Sequence, residues 1–230
     1  MILVFDLDDT LYDELQYVRS GFRAVANYLS GITHASEDTI AERMWQLLQV
    51  NGRGRIFNDM ASELGIKTNT VIKKCLSVYR SHNPSIQLYP DAEKMLTVFR
   101  HYPKYIVTDG NKIVQRKKMK ALKTDIYFKK TLPTHQFGIR HAKPSPYVFH
   151  RICKYENALP SDVIYFGDNP LKDFMLIKKE GFKTVRLLRG QYAGLHVTPD
   201  KDAHISIYNF KNLNPDTLQE LFTPIFNKKQ

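Results

Sequence analysis

The chain opens with the stretch Ile2-Leu3-Val4-Phe5-Asp6-Leu7-Asp8-Asp9-Thr10, in which four apolar residues end abruptly in a run of acidic residues. A short, continuous apolar run of this kind is typical of a strand that is buried on both faces. The acidic residues that follow predict a polar loop at the carboxyl end of this strand.

The same design returns twice further along the chain. The two later apolar runs are Tyr105–Thr108, which precedes Asp109-Gly110, and Val163–Phe166, which precedes Gly167-Asp168. Further strands are predicted at Thr184–Leu188 and His204–Ile207, and helices between strands at Tyr147–Tyr155 and Leu171–Lys179. This alternation predicts an α/β fold, built on a Rossmann-like, doubly wound parallel sheet.

In an open parallel sheet, ligands bind outside the carboxyl ends of the strands. Asp6, Thr108 and Asp168 stand at that end of three predicted strands, so we expect these side chains to converge. For Asp6 and Asp8 alone, two carboxylates that cap an ordinary loop explain the pattern as well as a functional site does. The later segments of the chain are needed to decide between the two.

The segment from about residue 13 to residue 82 has helical periodicity and no strand-like run. Its first helix begins with a capping-box pattern, Asp13 followed by Gln16. Apolar residues then follow at helical spacing, at Val18, Phe22, Val25 and Leu29. Three further helices are predicted at about 37–50, 56–64 and 70–81. We therefore predict an α/β core domain of residues 1–12 and 88–230, with a helical domain of residues 13–87 inserted into it.

The composition is that of a globular protein, with 43% hydrophobic and 25% charged residues in a chain of 230. The first apolar run is too short for a signal peptide or a membrane span, so we expect a cytoplasmic protein without a membrane partner. The two cysteines, Cys75 and Cys153, lie outside any CxxC spacing. They predict small core residues rather than a disulfide framework or a thiolate zinc site.

The formal net charge of +11 favours anionic partners without choosing among them. The densest basic stretch, residues 116–120, has no interleaved aromatic residues that could stack on bases, and we interpret it as a solvated helix face. A nucleic-acid partner is therefore not expected, and the oligomeric state stays open. In the glycine-rich loop 51–55, Arg53 and Arg55 suit a second anionic group of a substrate, with a solvated turn as the alternative interpretation. The eight histidines include no HxH or HExxH pair, so no histidine metal site is predicted.

Four motifs taken together resemble the haloacid dehalogenase superfamily over about residues 1–188. The first is Asp6-Leu7-Asp8-Asp9-Thr10, which is similar to the DxDxT signature, and the second is Thr108 at the end of an apolar strand. Lys143 in Ala142-Lys143-Pro144-Ser145-Pro146 resembles the third motif, and Asp168 with Asp173 resembles the fourth. The helical insert between the first two motifs resembles the C1 cap of this family, which closes over the active site and selects the substrate.

This resemblance implies a magnesium-dependent phosphatase that hydrolyses a small soluble phosphomonoester, such as a sugar phosphate or a nucleotide. Asp6 would attack phosphorus and form an aspartyl phosphate, and Asp8 would be the acid/base. Asp6, Asp168 and the backbone carbonyl of Asp8 would bind Mg²⁺, and Asp173 would bind the ion or its coordinated water. The phosphate oxygens would be held by Thr108, Lys143 and the backbone N–H groups of Asp109 and Gly110.

Two positions depart from the family pattern. Asp109 stands where a small or amide residue is usual, and Lys172 where asparagine is common. Carbon–halogen cleavage does not need an acid such as Asp8, so a dehalogenase is disfavoured. A phosphomutase of the same fold stays open, as does a non-catalytic module that binds nucleic acid or another acidic partner. The pair Asp6 and Asp8 argues against the second alternative, because a binding module has no need for clustered like charges.

Overall fold

The computed structural model describes residues 1–66 and 68–223. Its centre is a six-stranded sheet in the order β3-β2-β1-β4-β5-β6, and every neighbouring pair of strands is parallel. The strands are β1 (Ile2–Phe5), β2 (Lys104–Thr108), β3 (Lys130–Pro133), β4 (Val163–Gly167), β5 (Lys183–Leu187) and β6 (Ile205–Ile207). The predicted α/β fold with a parallel sheet is confirmed.

The nine α-helices of the described ranges alternate with these strands or lie in the insert. They are α1 (Glu14–Ser30), α2 (Glu37–Asn51), α3 (Ile56–Glu63), α4 (Asn69–Ser81), α5 (Pro90–Val98), α6 (Lys112–Ala121), α7 (Tyr147–Glu156), α8 (Met175–Lys179) and α9 (Pro215–Glu220). The predicted helix at Leu171–Lys179 is wrong in its first turn. The Asn169 side chain accepts the Leu171 N–H at 3.0 Å and forms a turn, and the helix begins only at Met175.

The central strands explain why the apolar runs of the sequence are continuous. All residues of β1, β2 and β4 are buried, because helices cover both faces of a doubly wound sheet. Phe5 pairs with Ile106 of β2 on one side and with Phe166 of β4 on the other. The carboxyl ends of these three strands therefore lie at the same level, side by side.

The chain divides into two compact units, each with its own core. Unit 1 comprises Met1–Glu14, Gln87–Gln115 and the chain from Leu122 onward, and unit 2 comprises Leu15–Ile86 and Arg116–Ala121. The predicted domain boundaries stay a prediction. The core of unit 1 is formed by the sheet together with α7 and α8, through residues such as Val4, Val107, Phe149, Tyr165 and Ile177.

The core of unit 2 contains the apolar positions that helical spacing marked in α1, and Cys75 of α4 lies among them. Gly21 allows close packing here, because a Cβ atom at this position would stand 2.4 Å from the Tyr79 ring. The basic stretch 116–120 is not uniformly solvated as predicted. Lys118 is buried with its ammonium 4.4 Å from the centre of the Tyr17 ring, and Lys117 donates to the Ser81 carbonyl.

Two smaller predictions concern the cysteines and the membrane. Cys75 and Cys153 are both buried free thiols, as expected of small core residues. Across the described ranges, no helix combines the length and apolar character needed to cross a membrane.

Candidate active site

Three carboxylates come together at the carboxyl edge of the sheet. The Asp6 N–H donates to the Phe166 carbonyl at 2.8 Å, so Asp6 leaves β1 directly beside the end of β4, where Asp168 follows. Asp173 lies on the turn after Asp168. All three carboxylates are buried, and each offers one oxygen within 4.8 Å of the oxygens offered by the other two.

Lys143 is the cation of this cluster. Its ammonium lies 2.9 Å from Asp6 Oδ2 and 2.8 Å from Asp173 Oδ1, and its side chain is 1% exposed. Burial opposes the charge of Lys143, but the carboxylates of Asp173 and Asp6 outweigh burial and raise its pKa well above the usual range. Lys143 therefore stays protonated.

One lysine does not balance three acids. Burial raises the pKa of Asp168, and the charges of Asp6 and Asp173 raise it further. Burial also raises the pKa of Asp6, to about 6. The charge of Lys143 opposes this shift without cancelling it, and Lys143 is shared with Asp173. With all three acids ionised and Lys143 protonated, the cluster carries a formal charge of −2 in a buried place. Such a charge favours the binding of a divalent cation.

Tyr165 is a member of the cluster that sequence analysis missed. It lies in the middle of β4, and its hydroxyl accepts a hydrogen bond from Lys143 Nζ at 3.0 Å and donates one to Asp173 Oδ1 at 3.0 Å. Burial and the charge of Asp173 raise its pKa well above the ordinary value, so the hydroxyl keeps its proton. The signal in the sequence was a single hydroxyl within an otherwise apolar buried strand.

The turn that carries Asp173 is built around its carboxylate. Asp173 Oδ2 accepts the Asn169 N–H at 3.0 Å, and the Asp173 N–H donates to the Asn169 carbonyl at 3.0 Å. A Cβ atom at Gly167 would stand 2.5 Å from Asp173 Oδ2, so only glycine leaves room for this carboxylate. The turn directs Asp173 to Lys143 and Tyr165.

Asp8 lies half-buried in the loop after β1, and each of its carboxylate oxygens has a donor. The Tyr12 hydroxyl donates to Oδ1, and Gln115 Nε2 donates to Oδ2 at 3.0 Å. The same Gln115 nitrogen lies 2.9 Å from Thr108 Oγ1 and 2.6 Å from the Asp109 carbonyl oxygen. Sequence analysis singled out neither Tyr12 nor Gln115.

Thr108 is buried at the end of β2, as predicted, and Asp109 and Gly110 continue into a polar loop. The Asp109 carboxylate accepts from the Thr134 hydroxyl and, at 3.1 Å, from the Lys143 N–H. It also lies 3.9 Å from the Lys172 ammonium. The two positions that depart from the family pattern, Asp109 and Lys172, thus form an ion pair with each other.

The two arginines proposed to bind substrate, Arg53 and Arg55, are exposed residues of unit 2. Arg55 forms an ion pair with Asp59 at 3.6 Å, one helical turn further along the chain. Their part in substrate binding stays a prediction.

The acids and the lysine of the four motifs are thus gathered at one edge of the sheet. A family model described as haloacid dehalogenase-like hydrolase matches residues 3–187. The chain belongs to this family. The match includes all four motifs and the helical segment between the first two.

Curated relatives narrow the class of reaction. The chain is 27% identical to a glyceraldehyde 3-phosphate phosphatase of Pyrococcus furiosus over 201 residues, 84% of this chain and 83% of the relative. It is also 27% identical to the enzyme of the same name from Methanocaldococcus jannaschii over 237 residues, 99% of this chain and 98% of the relative. The prediction of a hydrolase of the phosphatase class is confirmed.

Solved structures agree on the fold. The HAD-hydrolase YfnB of Bacillus subtilis, solved with bound magnesium, matches with a TM-score of 0.66 and 16% sequence identity, over 96% of this chain and 98% of the other. At this level of identity the likeness concerns the fold alone.

Proposed function

We propose that this haloacid dehalogenase-like phosphatase is magnesium-dependent and hydrolyses a small soluble phosphomonoester through an aspartyl phosphate on Asp6. The observation that carries the proposal is the buried cluster of three carboxylates around one lysine. A carboxylate nucleophile repels an anionic phosphate, so the site needs additional positive charge close to Asp6.

Asp6 is proposed as the nucleophile. Its Oδ2 is held by Lys143 at 2.9 Å, and its backbone is bonded to β4, so the carboxylate is buried and held in place. Attack of an Asp6 oxygen on phosphorus releases the alcohol and leaves an acyl phosphate, which water then hydrolyses to free phosphate and the original carboxylate. Lys143 stabilises charge in both steps, and its own charge is maintained by Asp173.

Asp8 is proposed as the acid/base that protonates the departing alcohol and later accepts a proton from the attacking water. Thr108, together with the backbone N–H groups of Asp109 and Gly110, is proposed to hold the phosphate oxygens. Gly110 adopts a φ of +123°, which side-chain-bearing residues rarely adopt.

The residues fit a magnesium ion. Hard oxygen ligands suit Mg²⁺, and a divalent charge matches the formal −2 of the buried cluster. Asp6, Asp168 and the backbone carbonyl of Asp8 would hold the ion, with Asp173 at its edge, where Asp173 already holds Lys143. When bound, the ion supplies positive charge to the phosphate and its leaving group. Among the described residues, Lys143 forms ion pairs with Asp6 and Asp173 but none with Asp168, so the charge of Asp168 is left for the metal ion to balance.

The substrate is proposed to be a small phosphorylated metabolite of the sugar-phosphate type. The support for this class is the name shared by the two archaeal relatives, glyceraldehyde 3-phosphate phosphatase. We propose the helices within residues 13–87 as the cap of this enzyme, with the α/β core formed by residues 1–12 and 88–230. Arg53 and Arg55 are its candidate contacts to a second anionic group of the substrate.

The test is a turnover assay of the purified protein with glyceraldehyde 3-phosphate, other sugar phosphates and nucleotides, each with magnesium and with a chelator. The expected result is release of inorganic phosphate from a small ester with magnesium only. Conversion to an isomeric phosphate without phosphate release would instead identify a mutase. Absence of turnover on the whole panel, with the same protein folded by circular dichroism, would refute the proposed activity.

A further inference from the structure

Two side chains that no motif contains hold the Asp8 carboxylate from both sides. The Tyr12 hydroxyl donates to Oδ1 and Gln115 Nε2 donates to Oδ2 at 3.0 Å. Tyr12 lies four residues after Asp8 in the loop that follows β1, and Gln115 lies on α6, 107 positions further along the chain. Asp8 is therefore held by its own loop and by a distant helix.

Both donors are fixed in place. Tyr12 is fully buried and forms an isolated β-bridge with Asp8, and the adjacent Leu11 carbonyl accepts the Tyr89 N–H at 2.9 Å. Gln115 is 2% exposed, and a Cβ atom at Gly110 would stand only 3.3 Å from its Nε2. Neither donor can swing away without disturbing packed neighbours.

Gln115 also joins Asp8 to the phosphate-holding loop. Its amide nitrogen lies 2.9 Å from Thr108 Oγ1 and 2.6 Å from the Asp109 carbonyl oxygen. Asp8 Oδ2 and the Asp109 carbonyl are acceptors, so the nitrogen rather than the oxygen of the Gln115 amide must face them. One amide group thus sets the position of Asp8 relative to the Thr108 hydroxyl.

We propose that Tyr12 and Gln115 are positioning residues that together hold the carboxylate of Asp8 in place for proton transfer to and from the substrate oxygen. This inference rests on the proposed function, in which Asp8 is the acid/base. A proton is transferred efficiently only over a hydrogen-bond distance of about 2.6–3.2 Å, so a carboxylate that rotates freely loses much of its effect. Neither Tyr12 nor Gln115 needs to touch the substrate for this purpose.

The test compares two substrates that differ in their need for an acid. Glyceraldehyde 3-phosphate releases a poorly acidic alcohol, whereas p-nitrophenyl phosphate releases a phenolate that leaves without protonation. For Tyr12→Phe and Gln115→Leu, we expect kcat/KM on the first substrate to fall about 10- to 100-fold, a part of the 10²- to 10⁴-fold that acid–base catalysis supplies. On the aryl substrate the loss in Tyr12→Phe should be at least about ten times smaller. Gln115→Leu also removes the contacts with Thr108 and the Asp109 carbonyl, so it should add a loss common to both substrates and still affect the alkyl ester more. Equal losses on both substrates would overturn the proposal and indicate a merely structural role.

Tyr105→Phe is the matched control. In the wild type, the hydroxyl of the buried Tyr105 also donates to a carboxylate, that of Glu156. Tyr105 lies in β2, three residues before Thr108, and takes no part in the contacts of Asp8 described above. We expect this variant to show no difference between the two substrates. The wild type and Asp8→Asn provide the second comparison, because Tyr12→Phe should cause no further loss on glyceraldehyde 3-phosphate when Asp8 is already an amide. Additive losses would contradict action through Asp8.

Thermal unfolding with a chelator tests the contact without any activity. Tyr12→Phe should lower Tm by about 2–4 °C in the wild type, the effect of one lost buried hydrogen bond in a protein of this size, and by less than half of that in Asp8→Ala. Equal shifts in both backgrounds would overturn the proposed contact. If the wild type turns over neither substrate, the proposed function and the catalytic purpose of Tyr12 and Gln115 are both refuted. The Tm shifts of Tyr12→Phe in the wild type and in Asp8→Ala would still decide whether Tyr12 holds Asp8.

Discussion

Replacing Asp168 with asparagine is expected to stabilise the metal-free protein at neutral pH. Burial, followed by the charges of Asp6 and Asp173, raises the pKa of Asp168 from 3.8 to about 9 in the folded protein. Between these values the folded chain binds a proton that the unfolded chain has released. The free energy of unfolding therefore falls as the pH rises through this window. Asparagine has nearly the same shape and carries no charge at any pH, so the variant avoids this loss.

The size of the effect follows from the pKa difference. At pH 7 the unfolded carboxyl is about three pH units above its pKa, and at 1.36 kcal/mol per unit the wild type loses about 4 kcal/mol. For a chain of this length that corresponds to a Tm higher by about 8–16 °C in Asp168→Asn. The difference in the free energy of unfolding between Asp168→Asn and the wild type should decrease by about 1.4 kcal/mol for each pH unit of acidification towards pH 4.

The assay is thermal unfolding, followed by circular dichroism in a chelator between pH 5 and pH 8. Asp125→Asn, at an exposed aspartate, is the control and should shift Tm by a degree or two at most, about what surface substitutions cause. Magnesium at about 100 times its Kd should then raise the free energy of unfolding of the wild type by about 2.7 kcal/mol and that of Asp168→Asn by much less. The difference in stability between the two proteins should therefore become smaller. A variant no more stable than the wild type in chelator at pH 7, or a gap that does not change with pH, would refute the reasoning.

Three further predictions concern the nucleophile, a glycine and a thiol. Asp6→Asn should abolish turnover of every phosphomonoester while its circular dichroism spectrum stays that of the wild type, and appreciable residual activity would exclude the covalent step. Gly167→Ala should lower the free energy of unfolding by about 1–3 kcal/mol in denaturant titrations, because its Cβ would stand 2.5 Å from Asp173 Oδ2; unchanged stability would show that the turn can move. Burial raises the pKa of the Cys75 thiol to about 11, so a thiol reagent at pH 8 should modify Cys75 only on unfolding, and rapid labelling of the native protein would contradict its burial.

The pair Asp109 and Lys172 shows how two departures from a family pattern are explained together. In the sequence they are two separate departures, one directly after Thr108 and one directly before Asp173. In the structure the Asp109 carboxylate binds the Lys143 N–H and the Thr134 hydroxyl, and Lys172 lies 3.9 Å from it. The extra acid therefore joins the loop after β2 to the segment that carries Lys143, and the extra base offsets its charge.

Local patterns in the sequence were sufficient for the sheet and for most helices. The strands predicted from apolar runs lie within one residue of the observed ends. For β1, β2 and β4 the reason is that both faces are buried, which favours a continuous apolar run. The exception is β3, Lys130–Pro133, an edge strand whose first residue is exposed and whose run is too short and polar to be recognised. Asp6, Asp8 and Asp168 could be predicted as candidate site residues in the same way, because each follows or stands near the end of such an apolar run.

The contacts that complete the site were decided only by the tertiary structure. Whether Tyr165 meets Lys143 depends on where the segment before α7 lies relative to β4. Whether Gln115 meets Asp8 depends on the placement of α6, because Gln115 stands 107 residues after Asp8. A buried hydroxyl or amide is compatible with many partners, and its hydrogen bond is chosen by packing rather than by its neighbours in sequence. The pKa values of Asp6 and Asp168 are set in the same way, because burial and the shared lysine exist only once the strands lie side by side.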